Sequence, residues 1–137
     1  MNSTYTSENT LALIDFTKYI DVYDQTCSVI GIPSNINKAY VLTAMQFEKN
    51  IIFENNVKTN AELKIWSKSV CTQLIDVYIK NRADKELNID EDIRQRCLEE
   101  FDRGNFHPSI FLEIKECVQL LILDNDVPLF KQKFLGN

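Results

Sequence analysis

The sequence is short of the two residues that most often interrupt helices. Glycine and proline occur only three times each in 137 residues, and long stretches repeat apolar residues at the spacing of an amphipathic helix. Neither an internal repeat nor a low-complexity tract is present. These features predict an all-α protein, and the length predicts a single domain that spans residues 1–137.

The chain also lacks an excess of basic charge. Its 15 Lys and Arg residues stand against 20 Asp and Glu residues, for a net charge of -5, whereas nucleic-acid binding depends on clustered cations. No apolar run approaches the ~20 residues that span a bilayer, and no secretory signal pattern opens the chain. The composition therefore favours a cytoplasmic protein that binds another protein with a basic face, and not nucleic acid.

Residue patterns that would indicate catalysis or metal binding are absent as well. His107 is the single histidine, and no motif pairs it with a nucleophile, so a helix-capping or surface role is expected. Neither of the glycine-rich phosphate-binding motifs occurs. The cysteines form no C-x-x-C pair, which gives no support for zinc and favours buried, reduced thiols. They are Cys27, Cys71, Cys97 and Cys117. We expect neither an enzyme nor a bound cofactor or metal.

Apolar periodicity predicts six helical segments, separated by polar runs and turn residues. They cover roughly residues 6–25, 38–55, 61–81, 90–102, 108–123 and 128–134. Residues 27–37 read as a loop because turn residues cluster there. Asp90 is predicted to be an N-cap, Gly104 to end that helix, and Pro108 to lie in the first turn of the next one.

Two late segments carry a family pattern. Residues 85–90 read KELNID with Arg94 following, and residues 121–131 read LILDNDVPLFK. Their order and separation resemble the regulator of G-protein signalling (RGS) domain, in which a Glu-hydrophobic-Asn-hydrophobic loop precedes a helix and a late Asp-rich turn leads to phenylalanine. The resemblance runs from about residue 71 to residue 134 and implies an RGS-like bundle of six to eight helices.

An upstream segment extends the resemblance. Ser7-Glu8-Asn9, followed by apolar residues, looks like the S-x-E-N-hydrophobic helix of the family. This placement implies that the family's preceding helices are missing or replaced, and that residues 27–68 contain an insertion between two bundle helices. The predicted helix at 38–55 has an apolar face wide enough to substitute for missing helices or to form a homodimer.

An alternative placement uses Glu48-Lys49-Asn50 for the same motif, at a more usual distance from Asn88. It puts Glu54, Asn55 and Asn60 at positions that the family buries, and an unpaired buried amide costs about 1–3 kcal/mol. We therefore favour the placement at Ser7, although the alternative would make the domain nearly complete.

The resemblance implies a function that needs no catalytic group on this chain. An RGS domain binds the activated Gα subunit and accelerates GTP hydrolysis, since Gα carries its own arginine and glutamine and only needs its switch regions held in the transition-state form. By resemblance, Asn88 would contact the switch region and the catalytic glutamine. The other residues implied to lie on the Gα-binding surface are Glu8, Asn9, Glu86, Leu121, Asn125 and Leu129. Binding to Gα would recruit the protein to the inner face of the plasma membrane.

Two positions depart from the family pattern. Asn125 stands where many active members have Asp, and Leu129 stands where they have Arg before the phenylalanine. Losing that arginine removes a charge-assisted hydrogen bond worth about 1.5–3 kcal/mol. Two other functions thus stay open: an RGS-homology scaffold or trafficking module without GTPase-activating activity, and an unrelated helical adaptor.

Overall fold

The computed structural model describes residues 8–36, 53–80, 83 and 86–125, without the side chains of 123–125. This part of the chain contains four α-helices and no strand, which confirms the all-α class. The helices are α1 (Glu8–Ile30), α2 (Asn60–Leu74), α3 (Glu91–Asp102) and α4 (Leu112–Asn125). A π-helical turn, Ile75–Ile79, continues α2, and a 3₁₀ turn, Pro108–Phe111, leads into α4. Four helices are fewer than the six to eight expected for the whole chain.

Helix α1 is longer than predicted. It continues past Gln25 to Ile30 because Thr26 and Cys27 are buried and the helix follows the core that covers them. It ends at Gly31, which adopts a φ of +80°, a conformation that costs glycine least. The N–H groups of Gly31 and the next residue both bond the carbonyl of Cys27, at 2.9 and 3.0 Å, in the manner of a C-terminal cap. The predicted loop at 27–37 was therefore wrong for residues 27–30.

Helix α2 begins at a capping box. The Thr59 hydroxyl accepts a bond from the N–H of Glu62 at 3.1 Å, and the Glu62 carboxylate accepts one from the N–H of Lys58 at 3.1 Å. The predicted helix at 38–55 was wrong for residues 53–55, which are not helical, and its remainder lies outside the described residues. Residues 27–30 end α1 and residues 60–68 belong to α2, while the middle of the segment expected to contain an insertion lies outside the described residues.

The caps around α3 follow the sequence pattern closely. The backbone of Asp90 starts the helix, although its side chain forms no capping hydrogen bond, and Gly104 ends it with a φ of +88°. His107 caps the following 3₁₀ turn by accepting a bond from the N–H of Ser109 on Nδ1 at 3.0 Å. Pro108 occupies the first turn, as predicted. Helix α4 then continues through Asp124, which was predicted to break it, and the predicted helix at 128–134 lies outside the described residues.

Ring contacts show that α1 runs antiparallel to α4. Phe16 stacks on Phe111 with centroids 5.2 Å apart, and Tyr23, about two turns later in α1, meets His107 at 5.1 Å. Later residues of α1 thus contact earlier residues of the α4 segment. The N-terminus of α1 and the C-terminus of α4 therefore lie at the same end of the bundle.

Helix α2 also runs antiparallel to α1. Tyr19 of α1 contacts Cys71, with 3.5 Å between Oη and Sγ, whereas the earlier Asp15 contacts Tyr78 at 2.5 Å. Between these helices and α4 lies the core, centred on fully buried aromatic and aliphatic side chains. The largest are Tyr19, Tyr78, Phe16, Phe53 and Phe111. Among the helices described, none is long and apolar enough to cross a membrane.

Burial of the thiols agrees with the predicted reduced cysteines. All four are free; Cys27, Cys71 and Cys97 are buried, and Cys117 is partly buried. Burial raises the pKa of both Cys71 and Cys97 to about 12. Because the thiolate is the reactive form, these two side chains act as packing groups at neutral pH.

Candidate functional site

Four separate segments meet at one end of the bundle, which we call the loop end. They are the N-terminus of α1, the π-helical turn that ends α2, residues 86–90, and the C-terminal half of α4. Glu8 precedes Phe16 by about 12 Å along α1, and Leu121 follows Phe111 by about 15 Å, at 1.5 Å per residue. Since Phe16 and Phe111 are stacked, the antiparallel helices bring Glu8 and Leu121 to similar levels.

Residues 86–90 form a short extended connection in which burial alternates. Leu87 and Ile89 are only 1% and 9% exposed, whereas Glu86, Asn88 and Asp90 are exposed. The Leu87 N–H donates to the carbonyl of Tyr78 at 2.9 Å. Asn88 is thus held between two buried side chains with its own amide directed to solvent, where a partner protein can reach it.

A buried arginine supports this connection from below. Arg94 is 4% exposed, and its guanidinium donates to the carbonyl of Leu87 at 3.0 Å and to that of Ile79. The carboxylates of Glu86 and Glu91 lie 3.6 and 3.3 Å from its nitrogens. One side chain therefore joins the end of α2, the connection and the start of α3.

A second buried polar contact joins α1 to the end of α2, beside the connection. The Tyr78 hydroxyl donates to the Asp15 carboxylate at 2.5 Å, and both residues are 0% exposed. In a low-dielectric interior such a bond is stronger than in water, and losing one partner is costly. The backbone of Tyr78 also receives the Leu87 N–H, so α1 is linked to the connection through one residue.

Helix α4 reaches the loop end through Cys117. Burial is the main cause of its raised pKa, and the charge of nearby Asp90 raises the pKa further, which places this thiol beside the start of α3. Leu121 lies one helical turn farther along α4, partly buried and packed against the core. The part of Leu121 that stays exposed adds an apolar element to the loop end.

The residues expected to bind Gα fall into two groups. Five lie at the loop end: Glu8, Asn9, Glu86, Asn88 and Leu121. Glu8 is exposed in the first turn of α1, while the buried Oδ1 of Asn9 has no hydrogen-bond partner among the described residues. Asn125 is the last residue of α4 and its side chain is not described, and Leu129 lies outside the described residues.

Sequence reasoning missed the residues that hold the loop end together. Arg94 was noted only as part of a helix start, Tyr78 only as an apolar position of the helix predicted at 61–81, and Asp15 was assigned no role. A signal for Asp15 was available, because it interrupts the apolar residues 11–16 and a charged residue there is seldom buried without a partner. Arg94 gave no such signal, because most of its neighbours in sequence are charged or polar.

Among the described residues, neither a metal-ligand cluster nor His107 contributes to the loop end. In the part of the chain that the structure covers, no group of three or more His, Cys, Asp or Glu side chains could hold a metal ion. His107 lies at the opposite end, where Nε2 is 2.5 Å from the carbonyl oxygen of Ser34 while Nδ1 accepts from Ser109. Both of its nitrogens therefore serve the fold.

No family model, curated protein or solved structure matches this chain.

Proposed function

We propose that this protein is an RGS-like module that binds the activated Gα subunit through its loop end and accelerates GTP hydrolysis. One observation carries the proposal: the segments that the resemblance assigns to one surface are far apart in sequence but lie at the same end of the bundle. Glu8 and Asn9 open α1, Asn88 lies between α2 and α3, and Leu121 lies in α4.

The geometry of Asn88 suits the proposed mechanism. Gα already supplies the groups that act on the phosphate, so its regulator contributes by fixing mobile switch regions. Two buried neighbours and a backbone hydrogen bond hold the backbone on both sides of Asn88. Because this segment is ordered before binding, contact with a switch region would cost little further conformational entropy. The partner would be the GTP-bound or transition-state form of Gα, at the cytoplasmic face of the plasma membrane.

The proposal includes an RGS-like arrangement of helices in the whole chain. It assigns α1 to the S-x-E-N helix of the family and places an insertion between α1 and α2.

Single-turnover GTP hydrolysis tests the proposal directly. A panel of Gα subunits is loaded with GTP, and phosphate release is followed with and without this protein. We expect at least one Gα to hydrolyse GTP faster, in a manner that saturates with protein concentration. The absence of acceleration for the whole panel at high micromolar protein would reject the GTPase-activating function.

A scaffold or trafficking role is the second candidate, and the departures at Asn125 and Leu129 favour it. Affinity for Gα bound to GDP and aluminium fluoride, compared with Gα bound to GDP alone, separates the two roles. A protein that recognises the switches binds the first form more tightly, because only differential affinity can shift a conformational equilibrium. Equal affinity for both forms, without acceleration of hydrolysis, would support the scaffold.

A further inference from the structure

The last carbonyl groups of the α2 segment have unusual partners. A helix C-terminus leaves its final carbonyls without intrahelical donors. Here the carbonyl of Tyr78 accepts the N–H of Leu87 at 2.9 Å, and that of Ile79 accepts the guanidinium of Arg94. Leu87 lies in the connection and Arg94 follows it in α3, so the end of α2 is capped by the connection that carries Asn88 and by the start of α3.

The side chain of Arg94 bonds both the end of α2 and this segment. Its guanidinium nitrogens donate to Ile79 and, at 3.0 Å, to the carbonyl of Leu87, next to Asn88. The planar fork of arginine can serve two acceptors at once, whereas the ammonium of lysine acts as a single compact charge. The carbonyl dipoles at a helix C-terminus also favour a cation.

A buried guanidinium is a costly way to pack two helices. Removing a charge from water is unfavourable unless hydrogen bonds replace the lost hydration. An apolar side chain at this position of α3 would fill space without that cost but could bond neither carbonyl. The geometry of Arg94 therefore determines the backbone conformation of the connection, and not only the packing of α3.

We infer that Arg94 is a positioning residue that fixes the backbone on the N-terminal side of Asn88 and so sets the direction in which the Asn88 amide meets Gα. The second half of this inference rests on the proposed function. A displacement of about 1 Å in a group that acts on the transition state can reduce the rate by as much as 10²-fold. A change at Arg94 is thus expected to lower activity although the residue itself is buried away from the partner.

The test compares two Arg→Lys changes on the same helix. Arg94→Lys keeps the charge but loses the fork, and we expect it to reduce acceleration of GTP hydrolysis by at least about tenfold. Arg96→Lys is the matched control, because Arg96 is exposed and bonds only Glu113, at 2.6 and 3.0 Å. We expect its acceleration to stay within about twofold of the wild type.

A core variant controls for general destabilisation. Val70 is buried in α2, about one and a half turns before the π-helical turn, and Val70→Ala should lower the unfolding midpoint without touching the connection. Both variants are assayed at a temperature where circular dichroism shows them to be folded. An equal loss of acceleration in Val70→Ala would overturn the inference, because Arg94 would then act only through stability.

Amide hydrogen exchange supplies a measurement that does not need Gα. The Leu87 N–H reports on its bond to Tyr78, and in Arg94→Lys we expect its exchange to rise by at least about tenfold more than that of amides in the middle of α1. A uniform rise at all amides, or no rise at Leu87, would overturn the inference. So would a local rise that leaves acceleration of GTP hydrolysis unchanged.

The two proposals fail separately. If the wild type accelerates no Gα, the proposed function fails, while exchange at Leu87 still decides whether Arg94 fixes the connection. If the wild type is active and Arg94→Lys equals it, the positioning role fails and the proposed function stands.

Discussion

The two ends of the bundle treat their polar groups in opposite ways. At the end opposite the loop end, the Tyr19 hydroxyl donates to the carbonyl of Phe106, and both nitrogens of His107 are engaged, with Ser34 and Ser109. At the loop end, the Asn88 side chain is exposed and forms no hydrogen bond within the described part of the chain. The polar groups of the first end bond to the fold, whereas the Asn88 amide at the second end is exposed.

Within the loop end itself, the side chains that support the connection are buried, and the side chain that a partner could contact is exposed. Arg94, Asp15 and Tyr78 are buried and bonded, while Asn88 projects from the segment that they hold. Buried hydrogen bonds of this kind rigidify their surroundings. The loop end therefore combines a fixed base with an available amide, which is what a rigid docking surface requires. Four changes test this difference, from the largest expected effect to the smallest.

Asn88→Ala is expected to have the largest effect on activity. Removing one polar group that acts on a transition state costs about 10²-fold in rate, so most of the acceleration of GTP hydrolysis should be lost. Because Asn88 is exposed, the unfolding free energy of the Asn88→Ala variant should differ from that of the wild type by less than about 0.5 kcal/mol. Single-turnover hydrolysis and urea denaturation check the two statements.

Asn56→Ala is the matched control for that change, since Asn56 is also exposed but lies in the segment beside the C-terminal half of α1. It should leave acceleration unchanged. Equal activity of Asn88→Ala and the wild type would mean that the contact surface lies elsewhere.

Tyr78→Phe is expected to weaken the base of the loop end. It removes the hydroxyl that donates to the buried Asp15 carboxylate at 2.5 Å, and a buried acceptor that loses its donor costs about 1–3 kcal/mol. The loss is measured as a lower midpoint in urea with an unchanged slope. Tyr23→Phe, at a partly buried ring of the opposite end, should cost less; a larger loss there would contradict the comparison.

Alkaline pH is expected to have the third-largest effect, because it destabilises the buried core. Burial raises the pKa of Cys71 and Cys97 from 9.0 to about 12, so between these pH values the unfolded chain loses protons that the folded chain keeps. The contribution of the two protonated thiols to the unfolding free energy is complete below pH 9. It falls as pH rises towards 12, by up to about 1.4 kcal/mol per pH unit for each thiol. Urea midpoints at pH 7, 9 and 10 measure the slope, which Cys97→Ala should reduce. An equal slope in that variant would show that other groups dominate.

His107→Ala should have the smallest effect of the four. It removes the cap on Ser109 and the contact with Ser34, and loss of an N-cap costs about 0.5–2 kcal/mol. His107→Asn should recover part of this stability, because Asn is a good N-cap, but it is too short to keep the bond to Ser34. Thermal melts of the two variants separate the cap from the long-range contact. No loss of acceleration is expected in either.

Local signals in the sequence predicted much of the fold. Gly104 and Pro108 mark helix boundaries because their backbone preferences act locally, and the structure has both where they were expected. Helix α1 was predicted too short, since the burial of Thr26 and Cys27 depends on residues distant in sequence. Asp124 was expected to end α4, but one unfavourable residue did not outweigh the packing of the rest of that helix.

The candidate site was only partly predictable for the same reason. The pattern around Asn88 indicated a loop. The apolar residues Leu87 and Ile89, which alternate with polar ones, indicated the side of it that is buried. The partners of Arg94 are backbone carbonyls on two other segments, and carbonyls carry no sequence signal. No reading of the chain alone could have assigned them.

The π-helical turn at Ile75–Ile79 has a consequence for how this chain can change in length. Its carbonyl-to-amide bond spans five residues, from Ile75 to Lys80 at 3.0 Å, so the turn holds one residue more than an α-helical turn. The wide turn absorbs this extra residue while Tyr78 still faces Asp15 and its carbonyl still meets Leu87. Deleting one residue there would restore α-helical winding with little rotation of Tyr78, whereas a deletion in the α-helical part of α2 would rotate the later residues by about 100°. A single-residue deletion should therefore be tolerated better in this turn than in the rest of α2.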